Sequence, residues 1–174
     1  IKELEVPCMV FLNGLDKDGV AYENALEQCR QQLGCLPIPM TVPVRSGGTL
    51  DSVIDVRLKQ LVRSGPSSAK AEFLPISAHL EESLNRARTQ LLEAVAESGE
   101  TLLETYLAEG DLSEDALREG LRRGMVTRQL LPVYAGSATQ NVGVWSLLDA
   151  MVRLFPSPSE RGVTHSWYGI QPET

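Results

Sequence analysis

Apolar positions along this chain alternate between continuous runs and helical periods. Val6 to Leu12 (VPCMVFL) is a continuous apolar run, which suits a strand buried on both faces, as in a parallel sheet. Asn13 to Gly19 is polar and reads as a loop. From Tyr22 to Leu33 the apolar positions are Tyr22, Ala25, Leu26, Cys29 and Leu33, the spacing of one helix face. Gly34 follows where a C-terminal glycine cap belongs. Ile38 to Val44 carries Pro39 and Pro43, which cannot donate to a ladder, so this is an edge strand or an irregular connection. Ser46-Gly47-Gly48-Thr49 is a turn. Val53 to Leu58 then alternates, with Ile54, Val56 and Leu58 on one face and Asp55 and Arg57 on the other. Together these segments predict an antiparallel hairpin. Ser64-Gly65-Pro66-Ser67-Ser68 is a loop, and Glu72 to Leu74 adds a short third strand.

Three helices come next. In the first, Leu80, Leu84, Ala87, Leu91 and Val95 form one stripe, and Gly99 breaks it. Thr101 to Leu107 is a short second helix. The third has Ser113 as its N-cap, with Leu112 and Leu117 placed for a hydrophobic staple. Leu121 continues its stripe and Gly124 ends it. Leu130 to Ala135 is another apolar strand, and Gly136 to Gly143 a loop. Val144, Leu147, Leu148, Met151, Val152 and Phe155 then mark an amphipathic helix stopped by Pro156 and Pro158. The tail from Ser159 to Thr174 is polar and without a period. Strand–loop–helix units therefore stand at both ends, around a mostly helical insert.

Composition narrows the class. The chain has 174 residues, 43% hydrophobic and 22% charged, which is ordinary for a globular protein of about one domain. Aromatics are only 5%, so the core must be built from Leu, Val, Ile and Ala. A net charge of −7 excludes a global basic field for nucleic acid. Cys8, Cys29 and Cys35 are scattered, and His79 and His165 lie far apart, so no metal site is expected. Three reduced thiols point to a cytoplasmic compartment. No apolar run approaches membrane-spanning length and no signal-peptide pattern is visible, so no membrane partner is expected. The first residue is Ile, and it runs straight into a strand, as in an excised piece.

Two loops carry the candidate chemistry. The first strand ends in Asn13-Gly14-Leu15-Asp16, and an Asn-x-x-Asp there presents a carboxylate at the carboxyl end of a parallel sheet. A carboxylate accepts from a fork of two N–H donors. Guanine offers N1–H and its 2-amino group side by side, and adenine does not. Asn13 would tie neighbouring loops together. A lysine in the second position would lay its stem on the base, but Gly14 stands there and that surface is lost. In the second loop, Gly136-Ser137-Ala138, small residues would let the Ala138 N–H approach the guanine O6. Each loop alone is a weak signal and reads as an ordinary turn using Asx bonds or small residues. Both follow apolar strands, in the right order.

From Val6 to Pro158 the chain resembles translation elongation factor G, a ribosomal translocase. VPCMVFLNGLDKDG resembles the strand and guanine loop of its GTP-binding domain. LEQCRQQLGCLPIPMTVPV resembles the helix and strand that follow. LDSVIDVRLKQLV, with the helices through LLETYLAEGDLSEDALREGLRRG, resembles its inserted G-prime lobe. LLPVYAGSATQNVGVWSLLDAMVRLFPSP resembles the return strand, second guanine loop and closing helix.

The resemblance implies an α/β fold. It would comprise the C-terminal half of a phosphate-loop-GTPase-type parallel sheet and an inserted α+β lobe, with a small antiparallel sheet and about three helices. The divisions would be 1–44, the inserted lobe at 45–129, the return at 130–158, and a linker or start of another domain at 159–174. Asn13 and Asp16 would belong to the base-specificity loop, with Asp16 selecting guanine, and Ser137 and Ala138 to the second loop. Gly14, Gln140 and Val142 replace residues that are usually lysine in the family. The ligand of the full-length protein would be GTP or GDP. The phosphate loop, the magnesium site and the switch regions would precede Ile1, so this piece alone should be inactive.

The implied partner is the ribosome, above all its acidic stalk protein. Arg118, Arg122 and Arg123, with Arg128 behind them, form a candidate docking patch. Its bland alternative is a solvated helix face paired with Glu114 and Glu119. Two activities stay open: a GTPase that drives translocation, or a divergent paralogue acting mainly as a ribosome-binding module. A sheet lacking its first strands would also expose an edge open to dimerisation. Trp145 reads as a half-buried residue of the last helix, and Trp167 as part of the tail.

Overall fold

The computed structural model describes residues 7–17, 19–65 and 70–155. Val6, the Pro66–Ser68 part of the predicted loop, the prolines after Phe155 and the tail with Trp167 lie outside them. The fold is α/β, with a three-stranded parallel sheet and a separate four-stranded antiparallel sheet. The parallel sheet has the order β1-β7-β2, from Val10–Leu12, Leu130–Ala135 and Leu36–Pro39. The antiparallel sheet runs β3-β4-β5-β6, from Thr41–Ser46, Thr49–Asp55, Gln60–Arg63 and Glu72–Leu74. Helix α1 (Tyr22–Leu33) joins β1 to β2. Helices α2 (Ala78–Ala96), α3 (Glu100–Glu109) and α4 (Glu114–Val126) join β6 to β7, and α5 (Val144–Leu154) closes the described chain.

The apolar run that ends at β1 was expected to be buried on both faces, yet β1 is only half-buried. Among the described residues it is an outer strand that pairs with β7 alone, whereas every residue of central β7 is buried. The α1 prediction holds residue by residue: the five stripe positions are the half-buried ones, and the Gly34 N–H caps the Arg30 carbonyl at 3.3 Å. The proline-bearing segment is both things its composition allowed. Pro39 lies on β2 and Pro43 on β3, each an edge strand, and the chain changes sheets between them. Met40 makes the crossing by donating its N–H to Val133 of β7 (2.9 Å) and accepting from Val56 (3.0 Å). Thr41 extends β7 further, its hydroxyl oxygen accepting the Ala135 N–H at 2.7 Å.

Three other expectations are corrected. The alternation over Val53 to Leu58 fails, because the strand ends at Asp55 and residues 56–59 form the turn into β5, a strand the pattern did not reveal. Both faces of β4 are covered, so Asp55 is buried beside Val53, Ile54 and Val56. Gly124 does not end α4. A Cβ there would fall 2.4 Å from Leu130, so the glycine lets α4 lie against β7. On α5, Ser146, Ala150 and Leu154 face the core while Leu148, Met151 and Val152 are exposed.

The N-cap and staple of α4 are present: Ser113 Oγ accepts from Ala116 N–H at 3.2 Å, and Leu112 and Leu117 are both buried. One apolar cluster joins Ile38 and Met40 to Leu91, Leu117, Leu121 and Tyr134, so the helices between the sheets share the parallel sheet's core. A second cluster sets Leu50, Val53 and Val62 of the antiparallel sheet against Leu15, Ala135 and Val142. The antiparallel sheet thereby braces the loops after β1 and β7.

Candidate functional site

Those two loops leave the carboxyl ends of adjacent parallel strands, where open α/β sheets bind ligands. Leu12 pairs with Ala135 at the last register position, so both loops start level. Their backbones are laced together: Gly136 N–H donates to Leu12 C=O at 3.0 Å, and Leu15 N–H to Gly136 C=O at 3.1 Å. Asn13 adds the side-chain tie, its Oδ1 accepting the N–H groups of Gly14 and Ala138, each at 2.9 Å. Leu15 is 2% exposed and plugs into the second apolar cluster, which fixes the residues on either side of it. Arg45 on β3 clamps the loop from below, donating to the carbonyls of Leu15 and Gly48.

Asp16 is held below the usual carboxylate range. The Ser137 hydroxyl contributes most, its own backbone N–H next, and the charges of Lys17 and Arg45 add to them against a partial burial that acts the other way. It is therefore ionised at neutral pH. Its Oδ1 is shut off from solvent and has no hydrogen-bond partner among the described residues.

The second loop is a closed six-residue turn, with Ser137 and Val142 exchanging two backbone hydrogen bonds of 3.0 Å. The Ser137 hydroxyl also meets Thr139 Oγ1 at 3.0 Å and accepts Gln140 N–H at 3.3 Å. Asn141 Nδ2 donates to Gly65 C=O at 3.2 Å, tying the loop to the end of β5. The small residues at its base have a steric cause: a Cβ on Gly136 would stand 2.0 Å from the Val142 carbonyl oxygen, and one on Gly143 2.3 Å from that of Ala135.

The structure thus ties Asn13 to Ala138 across the two loops, while the Ser137 hydroxyl acts on Asp16 chiefly by lowering its pKa. One detail differs from expectation. The Ala138 N–H, assigned to a base oxygen, is already committed to Asn13, so a ligand would have to compete for it. Gly14 sits at φ +80°, a left-handed conformation in which a side chain is strained. Val142 is 2% exposed and belongs to the loop's interior rather than its rim.

The arginine patch is more self-contained than expected. Arg118 pairs with Asp115 at 3.1 Å and Arg123 lies 4.0 Å from Glu119. Glu114, the other expected partner, instead meets Arg57, which also holds Asp149 of α5 at 2.7 Å. Trp145 is half-buried, with Phe73 edge-on at 4.8 Å between ring centres. Among the described residues, no cluster of His, Cys, Asp and Glu is arranged to hold a metal, and no helix is long and apolar enough to cross a membrane. Sequence reasoning missed Thr41, Arg45 and Lys17. Each acts across a sheet boundary or through a loop, where no periodicity marks it.

No protein-family model matches the chain. Among solved structures, one from Thermus thermophilus superposes on 92% of this chain with a TM-score of 0.79 and 31% sequence identity. The chain spans 24% of that protein's length, so the likeness shows a shared fold over that stretch.

Proposed function

We propose that this chain is the base-recognition segment of an elongation factor G-like translational GTPase, with guanine as the base that Asp16 selects. The observation that carries the reading is the Asn13 bridge beside Asp16. Two separate loops are locked together around one ionised carboxylate at the carboxyl end of a parallel sheet. Such a carboxylate suits the adjacent N1–H and 2-amino donors of guanine, a charge-assisted pair of hydrogen bonds. When GTP is bound, its phosphates and magnesium supply the hydrolytic chemistry, and they would be held by groups elsewhere in the longer protein. This chain's residues orient the base. The resemblance to elongation factor G implies a parent protein that works on the ribosome in the cytoplasm. The inserted lobe would then face the stalk.

A second reading, a divergent paralogue acting mainly as a ribosome-binding module, is favoured by Gly14, whose left-handed backbone replaces the family's lysine. Titrating the full-length protein with GTP, ATP and XTP separates the two. A clear guanine preference that moves to xanthine in Asp16→Asn supports base recognition. Equal binding of all three, or none, overturns it and leaves the ribosome-binding reading. Charge reversal at Arg118 and Arg122 should weaken capture by the stalk protein, and unchanged capture removes that patch from the interface.

A further inference from the structure

Gly14 leaves the loop without a side chain at the place where a flat surface beside the carboxylate would normally be built. The space beside it is not empty. A Cβ placed on Gly14 would meet the Lys17 side chain, with Cδ and Cε each 3.9 Å away, ordinary van der Waals contact. The turn itself puts Lys17 there: its N–H donates to the Gly14 carbonyl at 3.1 Å, which folds residues 14–17 back on themselves. Leu15 is pinned in the apolar cluster, so the turn has an anchor. The charge of Lys17 also helps to lower the pKa of Asp16, the next residue along the loop.

We infer that Lys17 is the base-covering residue of this site, its alkyl stem lying against Gly14 to form the apolar wall on which a purine bound at Asp16 packs. The inference rests on the base-recognition reading above and deepens it. A planar base held only at its edge by a carboxylate is poorly fixed, because nothing covers its face. A lysine stem provides methylene surface while its charge stays in water. Gly14 and Lys17 form a matched pair in this arrangement. The left-handed turn that favours glycine at position 14 is the one that brings position 17 over it.

The test is nucleotide affinity in the full-length protein, with GDP, XDP and ADP as probes and four variants: Lys17→Ala, Lys17→Met, Asp16→Asn and the double variant Asp16→Asn/Lys17→Ala. Lys17 is exposed, so the single changes at Lys17 leave folding intact. Lys17→Ala should weaken GDP binding roughly 5- to 15-fold, the effect of withdrawing about two methylenes from a covered face. Lys17→Met, which keeps the stem and drops the charge, should stay within about 2-fold of the unsubstituted protein on the same methylene reckoning. In the Asp16→Asn background the alanine change should cost XDP about the same factor as it costs GDP in the native background, because a covering surface does not read the base edge.

An Asp16→Asn variant that switches to XDP while Lys17→Ala binds GDP normally overturns the role of Lys17 and leaves base recognition standing. Equal losses in Lys17→Ala and Lys17→Met overturn the stem as the contact and assign the effect to charge. Absence of any guanine preference in the unsubstituted protein overturns the base-recognition reading, and the inference with it.

Discussion

Asp55 ends β4 with 4% of its surface exposed, and Asp111 lies between Lys59 and Arg88 near the start of α4. The two carboxylates are perturbed in opposite directions. Burial raises Asp55 above its ordinary 3.8, and the Leu58 N–H, Ser146 and Arg57 only partly offset it, with Asp149 pushing the same way as burial. Burial would raise Asp111 as well, but hydrogen bonds from Lys59, Arg88 and the Leu112 N–H outweigh it and hold that group far below 3.8. Linkage fixes the signs. For Asp55 the folded state keeps its proton longer than the unfolded chain does, so its contribution falls as pH rises above about 4 and is largest in acid. For Asp111 the contribution is complete above about pH 4 and is lost as pH falls below it. Chemical unfolding between pH 2.5 and 7 should therefore show Asp55→Asn flattening the loss of stability on the rising side, and Asp111→Asn removing part of the acid-induced loss. Parallel profiles for the two variants would contradict these assignments. Neither residue stood out in the sequence. Asp55 sits in an alternating pattern that put it with Arg57 on the face opposite Ile54 and Val56, and packing on both faces of β4 buries it.

Elements that could be read locally were read well, and elements defined by a partner strand were not. The five-residue stripe of α1, the Ser113 cap and staple of α4 and the apolar β7 follow from spacing and local hydrogen bonding, which act within one element. The four short residues of β5 have no period long enough to register, and they exist because β4 pairs them on one side and β6 on the other. Gly124 looked like a stop because glycine usually is one, but the helix continues past it and the missing side chain serves the approach of Leu130. The same distinction applies to the candidate site. Asn13 and Asp16 could be placed on one loop, and Ser137 and Ala138 on another, by reading strand ends. Arg45 and Thr41 required knowing that a second sheet lies against both. Thr41 makes that dependence measurable. Fully buried, it accepts the Ala135 N–H at 2.7 Å and carries the β7 ladder across to the antiparallel sheet. Thr41→Val keeps the shape and removes the acceptor, leaving a buried N–H unmade, which should cost about 1–3 kcal/mol in urea unfolding. Because β7 leads directly into the second loop, the same variant should speed amide exchange at Ala135 and Gly136. A change under about 0.5 kcal/mol with unaltered exchange would mean that the two sheets are joined chiefly by side-chain packing.

The molecule as a whole is asymmetric in how well its apolar surface is covered. Its centre is closed: β7 is buried throughout, and the inserted helices share the core of the parallel sheet. One side is open. Among the described residues β1 has a pairing partner on one edge only, and α5 exposes Leu148, Met151 and Val152 at 55%, 45% and 85%. These three residues are spaced three and four apart and form one face. The amphipathic period of α5 was legible in the sequence, but the period alone could not say which apolar positions the described fold would cover. An unpaired strand edge and a continuous apolar helix face each favour association, the first by ladder pairing and the second by burial. The 174-residue chain on its own should therefore self-associate, with an average mass that climbs above 19.0 kDa as concentration rises into the micromolar range. Leu148→Glu/Val152→Lys charges the helix face without touching the core-facing Ser146, Ala150 and Leu154, so it should preserve the unfolding midpoint while holding the mass near 19.0 kDa in sedimentation velocity. A monomeric unsubstituted chain at every concentration would show that this face is covered within a single chain. Association that persists undiminished in the double variant would place the contact on the β1 edge, and Phe11→Pro should then abolish it by removing an N–H from that edge.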